Sequence, residues 1–174
     1  PADLNGLAAL AQKHGLMLFE DAAQAHGATW QGAPVGTFGT FAMFSLYPTK
    51  NMTSVEGGMV SCETEETARQ VRLLRNQGME RRYENEIVGF NARMTDVHAA
   101  IGRVQLSKLP AWTEQRRANA RFLDRHLEGV TVPPVAEEAT HVYHQYTVRV
   151  AADRDGFATA LAGEHGIGTG VYYP

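Results

Sequence analysis

The stretch Leu16-Met17-Leu18-Phe19-Glu20-Asp21-Ala22-Ala23-Gln24-Ala25-His26-Gly27 decides the fold. It opens on four consecutive apolar residues. A short run that is apolar on both faces predicts a buried parallel strand. Upstream, Leu4, Leu7, Ala8 and Ala11 recur at helical spacing, with Asp3 or Asn5 placed to cap the start and Gly15 to follow the end. A helix followed by a buried strand is half of a βαβ unit. The strand that should precede this helix would lie before Pro1, so the chain is expected to be the central piece of a longer polypeptide. An opening Pro1 without Met, and an ending Tyr172-Tyr173-Pro174 that reads as the middle of an element, carry the same expectation.

Working outward, Thr40 to Leu46 and Gly58 to Cys62 read as two more buried strands. Thr64 caps a predicted helix that runs to about Arg75, with Glu65 and Glu66 in its positive first turn. Thr95 to Leu106 is amphipathic through Val97, Ala100, Ile101 and Val104, and Pro110 is expected to separate it from a long helix toward Leu127. His141 to Val150 alternates as a half-covered strand would. Asp153 opens a helix to about His165, and Ile167 to Tyr173 reads as a final strand. The fold class is therefore α/β. Residues 1–109 are expected to form part of a large domain with a mostly parallel sheet, and 110–174 part of a smaller α+β domain.

Composition narrows the function. Hydrophobic residues make up 44 % of the 174, enough to bury a core and to exclude a disordered chain. The formal net charge of −3, with no basic stripe, argues against a nucleic-acid partner. No apolar run approaches the roughly 20 residues that span a bilayer. The single Cys62 cannot close an internal disulfide, and its predicted strand makes it an inert core residue. The seven histidines show no metal-ligand spacing with Cys or carboxylates, and His141 and His144, three apart on an extended segment, would face opposite ways. Arg116, Arg117 and Arg121 read as the solvated face of a helix.

Two clusters carry chemistry. Asp21 follows a buried strand, where ligands of open α/β sheets bind; an acid at that spot equally serves to start a turn, and spacing alone leaves the two readings level. Lys50 sits in Ser45-Leu46-Tyr47-Pro48-Thr49-Lys50-Asn51, between two predicted strands and ahead of Glu56-Gly57-Gly58. Lysines are usually solvated, but a segment tied to buried strands at both ends can turn an amine toward a cavity, where it serves as a nucleophile. An acid after one strand and a lysine after the next are the two groups that pyridoxal phosphate requires. The lysine forms the Schiff base, and the acid keeps the pyridine nitrogen protonated so that the ring acts as an electron sink. In the same frame Ser45 offers a hydroxyl to the phosphate and Gln24 an amide to the phenolic oxygen. His26 either lies near the cofactor or is a turn residue.

Glu20-Asp21-Ala22-Ala23-Gln24-Ala25-His26-Gly27, Phe44 to Asn51 and Glu56-Gly57-Gly58 together resemble the DegT/StrS-type sugar-nucleotide aminotransferases. The resemblance continues through Gly89-Phe90-Asn91-Ala92-Arg93-Met94-Thr95-Asp96, Ala99 to Gly102 and Gln105-Leu106, then more weakly through Tyr143-His144-Gln145-Tyr146 and Gly170 to Pro174. It implies an aspartate aminotransferase-like (fold type I) architecture and a cytoplasmic homodimer with shared active sites. The implied cofactor is pyridoxal 5′-phosphate, and the implied reaction moves an amino group from glutamate to a nucleotide-linked keto sugar. It implies Lys50 as the Schiff-base lysine, Asp21 as partner of the pyridinium nitrogen, Gln24 on the phenolic oxygen and Ser45 on the phosphate. Asn91 would reach the phosphate of the neighbouring subunit's cofactor, although its own sequence context suits an Asx-turn; Arg93 is a weaker candidate. Val55 departs from the family, which commonly has a glycine or other small residue there. The family's earlier phosphate loop and ring-stacking aromatic are not in this sequence. Two rivals follow. Family dehydratases carry a histidine in place of the lysine, which Lys50 opposes. A truncated, non-catalytic fragment would keep the same residues.

Overall fold

The computed structural model describes residues 1–172. Helix α1 (Leu4–Lys13) starts where the Asp3 carboxylate accepts the Gly6 N–H at 2.9 Å and buries Leu4. Gly15, at φ 61°, turns the chain out of it. Strand β1 then covers Phe19–Asp21 rather than Leu16–Phe19. Leu16 and Met17 are exposed. The reason for the shift is local. Leu16 N–H still closes the end of α1 on Ala11, and contact with the neighbouring strand begins only where the Leu18 carbonyl accepts Thr40 N–H. Pairing then locks Phe19 opposite Phe41, with the rings stacked at 4.2 Å. Glu20 can enter the strand because its buried carboxylate accepts three backbone N–H groups, from Gly36, Phe38 and Gly39, at 2.7–3.0 Å.

β1 pairs in parallel with β4 (Phe41–Ser45), and β4 pairs with β5 (Gly58–Cys62), in the order β1-β4-β5. The second pairing is antiparallel, so this sheet has one parallel and one antiparallel pairing where a mostly parallel sheet was expected. The structure also corrects the expectation of a buried third strand. β5 is exposed over Gly58, Met59 and Val60, and Cys62 is only half-buried. A small antiparallel sheet joins β2 (Thr29–Trp30) to β3 (Ala33–Pro34) and to β6 (Ala139–Thr140). It ties the early chain to a segment more than 100 residues later.

Helix α2 (Glu65–Arg75) has the expected Thr64 cap, on Thr67 N–H at 3.1 Å, and buries Leu73. Helix α3 is one unit from Asp96 to His126, and Pro110 lies inside it. The expected break does not occur. Gly102, Leu109, Thr113 and Ala120 are buried along α3 at steps of seven, four and seven residues, a single stripe that runs straight past the proline. Leu109 joins Leu46 and Met52 in the core, with Met94 packed against them. Packing on both sides of Pro110 outweighs its one missing hydrogen bond.

The expected strand over His141–Val150 is absent. Tyr143 adopts φ 45°, which no strand tolerates, and only an isolated bridge joins Thr131 to Arg149. Arg116 and Arg117 are not solvated as the sequence suggested. They donate to the carbonyls of Tyr143 and His141 at 3.1 Å and pin this segment to α3. Helix α4 (Arg154–His165) follows, capped by Asp153 and ended by Gly166. Residues 167–172 form no strand, and the rest of the predicted final strand, Tyr173, lies outside the described residues. Among the described residues no helix is long and apolar enough to cross a membrane, and no group of His, Cys, Asp or Glu could hold a metal ion.

Candidate active site

Because β1 and β4 run in parallel, their carboxyl ends open on one edge of the sheet. Asp21 is the last residue of β1, and its exposed carboxylate accepts the Ala23 N–H at 3.1 Å. Gln24 lies exposed in the turn that follows, closed by Ala25 N–H on Ala22 C=O. Ser45 ends β4. Its Oγ accepts the Tyr47 N–H at 3.3 Å, an arrangement that leaves the hydroxyl proton for an anion.

The loop from Leu46 to Gly57 begins and ends at this edge, since Leu46 N–H donates to Gly57 C=O at 2.9 Å. Lys50 is half-buried in it, in a turn closed by its own N–H on Tyr47 C=O at 3.0 Å. Asn51, 4 % exposed, anchors the loop. Its amide donates to Val142 C=O at 3.0 Å, and its Oδ1 meets His144 Nδ1 at 3.2 Å. Thr53 and Ser54 close the loop on Leu46 C=O. Gly57 sits at φ 147°, a backbone conformation that residues with a side chain rarely adopt, and a Cβ there would press on Met94 Cε and Ser54 Oγ. Val55 sits at φ 73°, a left-handed backbone that glycine adopts freely and a β-branched residue does not. The position at which the family commonly has a small residue is thus strained here.

His26 is buried, 5 % exposed, with its ring 5.6 Å from that of Phe44. Burial holds its imidazole below the ordinary value of 6.5. The Ser45 carbonyl works against that shift, and the His144 ring and the Lys50 ammonium reinforce it. The Ser45 carbonyl faces the ring without completing a hydrogen bond of good geometry. Neither ring nitrogen has a partner among the described residues. A buried donor or acceptor left unpaired costs about 1–3 kcal/mol, so such a group calls for a ligand or water. Burial likewise holds His144 below the ordinary range, with Lys50 and Arg116 adding to the effect.

The structure thus gathers Lys50, Ser45 and His26 at one edge, with Asp21 and Gln24 at the end of the adjoining strand. It does not bring Asn91 or Arg93 into this group. Asn91 is exposed, bridged to Asn76, and accepts Arg93 Nε–H at 3.1 Å, while Arg93 also reaches Asn76. Sequence reasoning missed Asn51 and His144, whose contact spans 93 residues; the only signal was the Tyr-His-Gln-Tyr segment. An apolar groove of about 520 Å³, lined by Tyr146, Val148, Phe157 and Leu161, lies elsewhere and contains none of the candidate residues.

The donor set fits pyridoxal phosphate. It provides an amine, a carboxylate at a strand end, an amide and a hydroxyl, and beside them a buried imidazole lacking a partner.

Comparison with known proteins agrees. The DegT/DnrJ/EryC1/StrS aminotransferase family matches residues 1–174. The chain is 41 % identical to the UDP-N-acetyl-3-dehydro-alpha-D-glucosamine 3-aminotransferase of Acidithiobacillus ferrooxidans, over all of this chain and 47 % of that protein. It is 39 % identical to the dTDP-3-amino-3,4,6-trideoxy-alpha-D-glucose transaminase of Streptomyces venezuelae, over all of this chain and 46 % of that one. The solved structure of S. venezuelae DesV in complex with a ketimine intermediate superposes with a TM-score of 0.88 at 38 % identity, covering 94 % of this chain and 45 % of that one. A DegT DnrJ EryC1 StrS aminotransferase from Brucella abortus gives 0.93 at 30 % identity, covering 99 % and 47 %. The chain spans about half the length of the curated relatives it matches. Its architecture is fold type I, as the sequence resemblance implied.

Proposed function

Because this chain belongs to the DegT/DnrJ/EryC1/StrS aminotransferase family, we propose that it forms the core of a pyridoxal-phosphate-dependent aminotransferase. That enzyme transfers an amino group from glutamate to a nucleotide-linked keto sugar, in the cytoplasm and as a homodimer. In this reading residues 1–109 belong to the cofactor-binding domain and 110–174 to a smaller one, with α3 running through both. The observation that supports the reading is that β1, which Asp21 ends, pairs in parallel with β4, whose following loop bears Lys50.

When bound, pyridoxal 5′-phosphate supplies a sink for the electron pair left as the donor's α-carbon loses its proton. Lys50 Nζ would hold the cofactor covalently between turnovers. Released by the amino donor, the same nitrogen would take the proton from the donor's α-carbon as general base and deliver it to the cofactor's C4′ carbon as general acid. Asp21 keeps the ring nitrogen protonated and so stabilises negative charge at the reacting carbon. Gln24 orients the phenolic oxygen through a hydrogen bond. Ser45 would donate to the phosphate, and Asn91, which is exposed, would reach the phosphate of the neighbouring subunit's cofactor.

The test is reconstitution of the whole protein with cofactor. Lys50→Ala should abolish the absorbance of lysine-bound cofactor and lower transamination at least about 100-fold, the lower end of the acid–base contribution. Unchanged absorbance and turnover would rule the assignment out.

A further inference from the structure

Lys50 stands at a boundary in its loop. Tyr47, Pro48 and Thr49 before it are exposed, and Asn51, Met52 and Ser54 after it are buried. Upstream, its backbone is held by its own N–H on Tyr47 C=O. Downstream, the hold comes from the next residue. The Asn51 carboxamide donates from Nδ2 to Val142 C=O at 3.0 Å, and its Oδ1 meets His144 Nδ1 at 3.2 Å. The two contacts fix each other. With Nδ2 committed to a carbonyl, the atom that faces the imidazole is an oxygen, which only accepts, so His144 Nδ1 carries the proton. Between the two partners lies Tyr143 with its left-handed backbone, φ 45°, and both converge on one side chain. Arg116 and Arg117 tie the same segment to α3 through the carbonyls of Tyr143 and His141. A side chain that only filled space at position 51 would be better as Leu, which buries no amide.

We propose that Asn51 is a positioning residue for Lys50: its carboxamide, clamped between Val142 and His144, fixes the peptide that joins it to Lys50 and so the direction in which the lysine side chain leaves the loop. Through the 141–144 segment, α3 becomes the support of the reactive amine. The demand on position 51 is specific, because it must donate and accept at once. A carboxylate has no donor for Val142, and an aliphatic side chain has neither group. No bond is made or broken at Asn51 or His144. The inference rests on the reading of Lys50 as the cofactor-bearing lysine, and the experiment separates the two.

The whole protein is incubated with pyridoxal 5′-phosphate, reduced with borohydride and mapped by peptide mass spectrometry, each variant first shown by circular dichroism to be folded. Lys13 and Lys108, the chain's other lysines, serve as internal references. In the parent the pyridoxyl group should sit on Lys50; if it sits on another lysine, the reading of Lys50 itself fails. In Asn51→Leu the share on Lys50 relative to Lys13 and Lys108 should fall about tenfold, within the roughly 100-fold that a displacement of about 1 Å costs a reacting group. Equal labelling in the parent and in Asn51→Leu would overturn the positioning role while leaving the reading of Lys50 intact. A second arm keeps Asn51 in place and decides the matter if Asn51→Leu does not fold. His144→Asn presents an amide N–H where Nδ1–H stood and should label like the parent. His144→Leu, without a donor, should lose about fivefold, the effect of one hydrogen bond. If His144→Asn falls as far as His144→Leu, the hydrogen bond does not position Lys50 and the proposal is overturned. Asn51→Leu combined with His144→Leu should be no worse than Asn51→Leu alone; additive losses would show two separate effects and would also overturn it.

Discussion

Val55 shows how a single residue can set the tension of a loop. Its left-handed backbone is held because Thr53 Oγ1 accepts its N–H at 2.9 Å and because Ser54 and Gly57 fix the chain on either side. A non-glycine residue in this conformation costs about 1–2 kcal/mol. Val55→Gly removes that strain and gives back part of the gain as chain entropy. Stability should rise by about 0.5–1 kcal/mol, measured by chemical denaturation; a fall would show that the Val55 side chain contributes more than its backbone costs. At this scale the sequence was most readable where one residue type has one reason to be present. Thr64 and Asp153 act as the caps their types suggested. Asp21 ends β1, and Lys50 lies in the loop that follows β1's parallel neighbour β4. Asn51 was illegible because its partners, Val142 and His144, are more than 90 positions away. His26 was level between turn and site, for local pattern does not reveal burial.

At the scale of elements, tertiary packing outweighs local preference. Pro110 locally favours a helix break, yet α3 passes through it because Leu109 and Thr113 are buried on either side. A continuous helix of 31 residues is about 46 Å long at 1.5 Å per residue. Pro110 itself is exposed, so replacing it changes no core contact. Pro110→Ala should restore one backbone hydrogen bond, to Leu106, and stabilise the protein by about 1–2 kcal/mol, less than the full interior penalty because the free chain regains entropy. An unchanged midpoint of thermal unfolding would mean that the helix has already adapted to the ring. The Leu16–Phe19 run failed in the opposite direction. Apolar character marked a strand, but pairing began at Leu18, and three backbone donors made room for the charge of Glu20. The alternation over 141–150 failed because Arg116 and Arg117 take carbonyls that a neighbouring strand would have used.

Over the whole molecule, histidines from distant parts of the chain are kept uncharged together. Burial is the leading cause of the lowered values of His26, His141 and His144. The unfolded chain takes up protons at these residues near 6.5, and the folded chain resists. Their contribution to stability is therefore fully present above pH 6.5 and is lost as pH falls below it toward the folded-state values. The thermal midpoint should drop between pH 7 and 5.5. The drop should be smaller in His26→Gln, which has no proton to gain at that site; identical slopes would remove His26 from the account.

The hydrogen bonds of Asn51 bear on the order in which the protein is made. The carbonyl and imidazole that hold this carboxamide belong to Val142 and His144. A ribosome that has just joined Lys50 to the growing chain must add more than 90 further residues before those partners exist. At about 5–20 residues per second that interval is roughly 5 to 20 s. Throughout it the lysine's neighbour waits without the contacts that later bury it. The segment bearing the reactive amine thus takes its final anchors from a segment synthesised more than 90 residues later, and its completion reports that the distant segment has arrived.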